Sequence, residues 1–300
     1  MSYLSIVINT KNRPERLGIT LQALCRQDID KSLYEVVIID DGSSINLSKI
    51  IEDARRKMNV NFIRQESLGY TTARNKGIAA SSGELILFMD DDVIVNKDFL
   101  NYHIESHRES RDIVAVGDRY NSYIGDLNAT NSKEIIDNAL SGRFETLMKK
   151  SRVDYYAKQT FRIFDQSPSG DPIPWVCFVT RNVSVRKEHL LHVGGFDTGF
   201  KGWGVDDIEL GYRLYNIGLK YRYIPKATVY HLDHPIHSKK KEDLIKNLNY
   251  FIEKYSLIDP QLYKAFVFNQ ISLEDFCESV KLSKVVSTVR EGATYFNTFR

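Results

Sequence analysis

The sequence has few cysteines and no long apolar run, and both absences bear on its cellular setting. Its three cysteines, Cys25, Cys177 and Cys277, are far apart and odd in number, which favours reduced thiols over a disulfide framework. No run of about 18 apolar residues is present, and the N-terminus does not have the pattern of a signal peptide. We therefore expect a cytoplasmic protein without a membrane span.

An excess of charge of one sign is also missing. The formal net charge is +2 and acidic and basic residues are interspersed, so composition indicates neither a nucleic-acid partner nor a polybasic membrane surface. The run Lys239–Lys241 is interpreted as the solvated start of a helix. Peripheral contact with an anionic membrane or a lipid-linked acceptor is the alternative interpretation of this run.

The usual phosphate-binding loops are absent as well. The sequence contains neither GxGxxG nor GxxxxGK[ST], which removes the main support for a dinucleotide-binding protein or a P-loop enzyme. A protein that binds phosphates without such a loop needs another source of positive charge, and a divalent metal ion can supply it.

The distribution of apolar residues predicts the architecture of the first hundred residues. Short continuous apolar runs at 4–8, 36–39, 60–64 and 84–89 indicate buried strands, and helical spacing indicates helices between them. This order predicts a parallel sheet with helices on both faces. Ligands of such sheets bind at the carboxyl ends of the strands, where Thr10, Asp41 and Asp90–Asp92 fall.

The pattern is less regular after residue 110. Residues 131–165 are predicted to be helical, residues 174–185 to form a strand, and residues 221–224 and 227–230 to form two more. Beyond residue 236 the pattern is helical and highly charged.

The acidic cluster Asp90–Asp92 offers hard oxygen ligands of the kind that Mg²⁺ or Mn²⁺ accepts. A metal held there could neutralise the charge that develops on a departing sugar diphosphate. Asp41 could accept hydrogen bonds from a base or ribose, and Arg74 could approach the base or the pyrophosphate. The alternative is a solvated turn that caps the next helix, since aspartate is common in turns.

A second cluster lies in the stretch 193–214, where five glycines surround Trp203 and precede Asp206 and Asp207. The glycines permit hinge motion and close approach to a ligand. The two aspartates are predicted to open a helix, whose dipole stabilises carboxylates and lowers their pKa. That capping role is the structural alternative to a catalytic one.

These motifs, taken in order, resemble the family 2 glycosyltransferases of the GT-A fold. The motifs are residues 6–13, Ile38–Ser43, Ala73–Gly77 and Phe88–Asp92. The later segments Gly194–Asp197 and Gly202–Asp207 resemble the carboxyl-terminal part of galactosyltransferases and of bacterial polysaccharide-polymerase transferase domains. The resemblance covers about residues 4–235 and implies an α/β GT-A fold with a mostly parallel, Rossmann-like sheet.

By this resemblance, we expect residues 1–110 to bind the nucleotide sugar, residues 111–235 to complete the same domain as its acceptor-binding and catalytic half, and residues 236–300 to form a helical extension. The resemblance assigns the metal, Mn²⁺ or Mg²⁺, to Asp92 and His231, with His234 as the second choice of histidine. It assigns the nucleotide and donor sugar to Thr10, Asn12, Arg13, Asp41, Arg74, Asp90, Asp91 and Asn182.

The resemblance also implies a mechanism. Asp207 would be the general base that takes the proton from the acceptor, Asp206 would hold the acceptor or donor sugar, and Trp203 with Gly202 and Gly204 would contact a sugar ring. A base opposite the leaving group gives inversion at the anomeric carbon.

The function predicted from the sequence is metal-dependent transfer of a sugar from a nucleoside diphosphate, expected to be UDP. The acceptor would be a hydroxyl of a glycan, a lipid-linked glycan or another glycoconjugate. Two alternatives stay open: a nucleotidyltransferase, which would release pyrophosphate, and a carbohydrate-binding protein with a decayed site.

Overall fold

The structure, a computed structural model, describes residues 2–166, 172–234 and 239–286. Strands and helices alternate regularly at the start of the chain. The elements there are β1 (Leu4–Thr10), α1 (Pro14–Cys25), β2 (Tyr34–Asp41), α2 (Ser48–Arg55), β3 (Val60–Gln65), α3 (Tyr70–Ala80) and β4 (Leu85–Met89).

The middle of the chain is less regular. It contains β5 (Val93–Val95), α4 (Phe99–Glu109), β6 (Ile113–Ser122), α5 (Thr130–Leu140), α6 (Glu145–Lys149), β7 (Ser151–Val153), α7 (Tyr155–Thr160) and α8 (Arg162–Gln166). A short 3₁₀ helix (Pro174–Cys177) is followed by β8 (Asn182–Arg186), α9 (Lys187–His192), α10 (Asp206–Asn216) and β9 (Lys220–Leu232). Three helices end the described chain: α11 (Lys240–Tyr255), α12 (Ile258–Val267) and α13 (Leu273–Val286).

The strands of the described residues form one sheet in the order β3-β2-β1-β4-β8-β6-β9-β5, with β7 paired to β6. The first four strands in this order are parallel, as the apolar pattern predicts. Beyond β4 the sheet is mixed, because β8 runs antiparallel to both β4 and β6 while β6 and β9 are parallel. The uninterrupted run of parallel strands is therefore β3-β2-β1-β4, which comes from the first 89 residues.

The register of the last two strands positions the site. β5 pairs antiparallel with β9, and Val93 lies opposite His231. This pairing brings the residues that follow β4 next to the end of β9. The carboxyl edge of the parallel strands thus receives side chains from a much later part of the chain.

The C-terminal helices are part of the main core. The ring of Trp175, fully buried, contacts rings from α10, α11, α12 and α13, namely those of Tyr212, Phe251, Tyr263 and Phe276. Aromatic side chains contribute large buried areas to a core. The predicted helical extension is therefore helical over residues 240–286 and packs tightly on the domain, whereas residues 236–238 and 287–300 lie outside the described residues.

Three local predictions differ from the structure. The region 131–165 is mostly helical, but β7 interrupts it where Tyr120 pairs with Val153. The region 174–185 begins as a 3₁₀ helix, since Pro174 has no N–H for a strand ladder and suits a first helical turn. The two strands expected near the end of the domain are one strand, β9, with an irregular register opposite Gly117 and Asp118.

Among the described residues, none of the three cysteines forms a disulfide. Within the described residues, we find no helix with the length and apolar character needed to span a membrane.

Two helical glycines offer a test of how closely α3 packs on β1. A Cβ on Gly77 would lie 2.4 Å from Val7 Cγ1, whereas a Cβ on Gly18 in α1 would meet its nearest neighbour, Ile50 Cγ2, at 3.9 Å. We expect Gly77→Ala to lower the free energy of unfolding by about 1–2 kcal/mol through overpacking. Gly18→Ala, the control, should raise it by about 0.5–1 kcal/mol. Urea denaturation measures both values, and equal stabilisation by the two variants would contradict the described packing.

Candidate active site

A carboxylate and two imidazoles converge at the carboxyl edge of the sheet. Asp92 precedes β5, His231 lies near the end of β9, and His234 follows that strand. Asp92 Oδ1 lies 3.2 Å from His231 Nε2, and Asp92 Oδ2 lies 3.5 Å from His234 Nε2. One ligand atom from each of the three residues lies within 4.8 Å of the others. We call these three residues the Asp-His cluster.

The chemistry of the Asp-His cluster fits a divalent cation. Asp92 Oδ1 is buried and makes no well-aligned hydrogen bond among the described residues, and its near polar neighbour is His231 Nε2 at 3.2 Å. A buried carboxylate oxygen without a well-aligned donor is costly unless a cation neutralises it. The oxygen and nitrogen atoms of this set are both ordinary metal ligands. The structure brings together Asp92 and His231, and His234, the second choice of histidine, lies beside them.

The three consecutive aspartates have three different surroundings. Asp90 pairs with Arg181 at 3.1 Å, and Asp91 accepts a hydrogen bond from Thr10 Oγ1 at 2.6 Å. Burial and the charge of Asp92 raise the pKa of Asp91. Burial also acts on Asp92, but His231, Arg13 and Arg181 outweigh it and lower the pKa of Asp92. Of the three aspartates, Asp92 is the one that belongs to the Asp-His cluster, and its lowered pKa favours the charged carboxylate.

Several residues assigned to the nucleotide site hold the loops of this edge together. Asp41 accepts hydrogen bonds from Gln65 Nε2, Leu68 N and Gly69 N. The Asn12 side chain, in a residue with φ of 57°, accepts a hydrogen bond from Ser44 N at 2.7 Å. These contacts explain how the turns after β1 and β2 keep their shape.

Arg13 and Arg74 are both engaged with carboxylates. Arg13 Nη1 lies 3.0 Å from Asp92 Oδ2 and 3.4 Å from Asp91 Oδ1, at the border of the Asp-His cluster. Arg74 pairs with Asp206 and lies over the Phe196 ring at 5.3 Å. Its guanidinium therefore links α3 to the start of α10, a contact that the sequence pattern did not indicate.

Asn182, assigned to the donor sugar, lies in the interior. It is fully buried, and its Oδ1 contacts His103 Nε2 at 3.0 Å. Its Nδ2 donates to the carbonyl oxygens of Asp118 and Ala227. Because both ends of the amide are used by the protein, Asn182 ties β8 to β6 and β9 in this structure.

Asp207 is the second residue of α10 and is half-buried. Burial and the adjacent charge of Asp206 raise the pKa of Asp207 to about 6, although Arg74 opposes the change. The expectation that the helix dipole would lower this pKa is therefore wrong, because the dipole effect is small beside desolvation. A carboxylate with a raised pKa is a stronger base, which suits proton abstraction near neutral pH.

The loop 197–204 that precedes Asp207 is fixed by one face of α11. Asn247 Nδ2 donates to the carbonyl oxygens of Lys201 and Gly204, and Asp243 Oδ2 accepts from Trp203 N. Gly202 has a φ of 69°, and a Cβ there would lie 2.3 Å from Asp243 Oδ2. This glycine therefore permits close approach of the loop to a helix of the same chain.

The sequence pattern did not identify Arg181 or the loop-facing residues of α11 as part of the candidate site. Arg181 connects Asp90 to Asp154, and nothing in its local sequence marks it. The loop-facing side of α11 had a detectable signal, because its polar residues recur at spacings of three and four. These residues are Asp243, Asn247, Tyr250 and Lys254, and each contacts loop 197–204.

The architecture is that of solved glycosyltransferases. TarS from Staphylococcus aureus, in complex with UDP-GlcNAc, matches with a TM-score of 0.62 and 18% identity over 84% of this chain and 65% of that chain. GalNAc-T7 with UDP, GalNAc and Mn²⁺ matches with a TM-score of 0.61 and 17% identity over 94% of this chain and 55% of that chain. The fold is therefore the GT-A fold of glycosyltransferases.

Sequence comparison then gives the family. The model described as glycosyl transferase family 2 matches residues 5–171, more than half of the chain, and the chain belongs to this family. The model described as the N-terminal domain of galactosyltransferase matches residues 167–235. The expectation of a family 2 enzyme with a galactosyltransferase-like segment is confirmed.

Relatives differ in how much of their length this chain covers. Chondroitin synthase from Escherichia coli is 31% identical over 247 residues, which are 77% of this chain and 35% of the synthase. An uncharacterized glycosyltransferase of Bacillus subtilis, YfnE, is 26% identical over 278 residues, 85% of this chain and 71% of YfnE. The chain thus spans about a third of the synthase and most of YfnE.

Replacing His234 with alanine tests the Asp-His cluster. A metal that binds the native state raises Tm, so we expect Mn²⁺ to stabilise the wild-type protein. Loss of one ligand should weaken Mn²⁺ binding by at least about 10-fold. Calorimetric titration with Mn²⁺ measures this, with His192→Ala, an exposed histidine of α9, as the control. Equal Mn²⁺ affinity in the His234→Ala variant and the wild type would remove His234 from the site.

Proposed function

We propose that this protein transfers a sugar from a nucleoside diphosphate donor, UDP in the first instance, to a hydroxyl group of a glycan or glycoconjugate. The observation that carries the proposal is the Asp-His cluster at the carboxyl edge of a GT-A sheet. TarS and GalNAc-T7, which share this fold, were solved with UDP-GlcNAc and with UDP and Mn²⁺. Their ligands support a nucleotide-sugar donor here.

The ligand atoms of the Asp-His cluster favour Mn²⁺ over Mg²⁺. Mg²⁺ prefers oxygen ligands and octahedral geometry, whereas a carboxylate with two imidazoles suits a first-row transition ion. Asp92, His231 and His234 would hold this ion. When bound, it would neutralise charge on the diphosphate as the sugar leaves.

Asp207 would accept the proton of the attacking hydroxyl group. Its raised pKa makes it basic enough to do so, and its place in the first turn of α10 sets it beside loop 197–204. Trp203 of that loop is 44% exposed and offers an apolar ring face to a sugar. Attack assisted by this base, opposite the leaving diphosphate, inverts the configuration of the anomeric carbon.

The donor is identified by thermal unfolding with UDP, GDP, CDP and TDP, each with and without Mn²⁺. A ligand that binds the native state raises Tm by mass action. We expect the largest increase with UDP, and only with Mn²⁺ present. An absence of any shift would contradict the proposed donor class and favour a carbohydrate-binding protein, whereas release of pyrophosphate in a turnover assay would favour a nucleotidyltransferase.

The pH dependence of transfer tests Asp207. Because the base must be deprotonated, kcat/KM should be highest above about pH 7 and fall about tenfold per pH unit below the pKa of about 6. Asp207→Asn should lower kcat by about 100-fold or more and abolish this acidic limb. Asp53→Asn, an exposed carboxyl group of α2, is the control and should behave as the wild type. Full activity in Asp207→Asn would eliminate this mechanism.

Asn247 tests the role of α11 in holding loop 197–204. Asn247→Ala removes the hydrogen bonds to Lys201 and Gly204, so the loop should lose its fixed shape. We expect kcat for transfer to fall about 10-fold while the affinity for UDP and Mn²⁺ is kept. Asn249→Ala, on the exposed face of the same helix, is the matched control. A parallel loss of UDP affinity and transfer in Asn247→Ala would indicate general damage to the fold.

A further inference from the structure

Lys240 differs from its two lysine neighbours. It is the first residue of α11, and its Nζ lies 4.8 Å from the centroid of the Trp203 ring. Lys240 is half-buried, whereas Lys239 and Lys241 are exposed. The interpretation of the run as a solvated helix start therefore holds for its two outer members, while the middle one faces the protein.

The ammonium group of Lys240 lies in the electrostatic field of the candidate site. Burial and the charges of Arg181 and Arg13 lower its pKa, and the charges of Asp90 and Asp92 oppose that change. These four groups surround the Asp-His cluster or belong to it. The contact with Trp203 places this ammonium group against loop 197–204, which precedes Asp207, and the charges around the Asp-His cluster act on it there.

Lys240 forms no ion pair of its own within the part of the chain that the structure describes. Arg13 pairs with Asp91 and Asp92, and Arg181 pairs with Asp90 and Asp154. No carboxylate of the described residues forms an ion pair or hydrogen bond with Lys240, whose described contact is the face of Trp203. A partly desolvated ammonium that is held against an aromatic ring, with carboxylates nearby but no direct ion pair, can take an anionic ligand as its partner.

We propose that Lys240 binds the diphosphate of the nucleotide-sugar donor, with Trp203 holding the ammonium group in place. This inference rests on the proposed function. In the transfer step, the acceptor oxygen forms a bond to the anomeric carbon and gives its proton to Asp207. The bond from that carbon to the diphosphate oxygen breaks, and its electron pair stays on the diphosphate. Lys240 stabilises the negative charge that results.

Binding of UDP without acceptor tests this assignment, because an acidic acceptor could otherwise supply the anion. Calorimetric titration in the presence of Mn²⁺ would compare the wild type with Lys240→Gln, Lys240→Arg and Lys241→Gln. We expect Lys240→Gln to weaken UDP binding by about 10-fold and Lys240→Arg to restore most of it. Lys241→Gln, the exposed neighbour, should bind UDP as the wild type does.

Uridine separates a charge effect from general damage. It has the base and ribose of UDP but no phosphate, so its affinity, measured by competition, should be unchanged in Lys240→Gln. Wild-type UDP affinity in Lys240→Gln would overturn the assignment, as would an equal loss for uridine. Failure of the wild-type protein to bind any nucleoside diphosphate would instead contradict the proposed function itself.

Discussion

The antiparallel pairing of β5 with β9 is the constraint on which the candidate site depends. It places Val93 opposite His231, and the Asp92 carbonyl oxygen accepts a hydrogen bond from Leu232 N at 2.8 Å. These main-chain contacts bring an acidic turn from the first third of the chain against an imidazole from the last third. The Asp-His cluster exists only because this pairing is in register, since a shift of one residue would turn His231 to the other face of the sheet.

The first half of the fold could be predicted from sequence because its signals are local. Continuous apolar runs indicated β1 to β4, and their order placed Asp41 and Asp92 at the same edge. The contacts of these side chains could not be predicted in the same way. Whether Asp91 meets Thr10, or Arg74 meets Asp206, depends on packing between elements far apart in the sequence. The assignments that came from resemblance alone share this limit, as the buried position of Asn182 shows.

Asp207 illustrates how tertiary surroundings override a local rule. Its place at the start of α10 suggested a low pKa, but the proton affinity of a carboxyl group responds more strongly to burial and to a neighbouring charge. The same holds for the glycines of loop 197–204. Their number suggested mobility, whereas at Gly202 the missing side chain lets α11 pack against the loop. In both places the sequence marked the right residues, but their behaviour depends on the surrounding structure, which is the buried setting of Asp207 and the packing of α11 on Gly202.

Because loop 197–204 is attached to α11, its shape depends on a different part of the chain from the Asp-His cluster. The Asp-His cluster lies at the ends of strands β5 and β9, while the loop beside the candidate base takes its shape from the hydrogen-bonding face of a helix later in the chain. Substitutions on that helix face can therefore reshape the loop without touching the strands. Under the proposed function, evolution could vary the acceptor through this helix face while the Asp-His cluster is inherited unchanged.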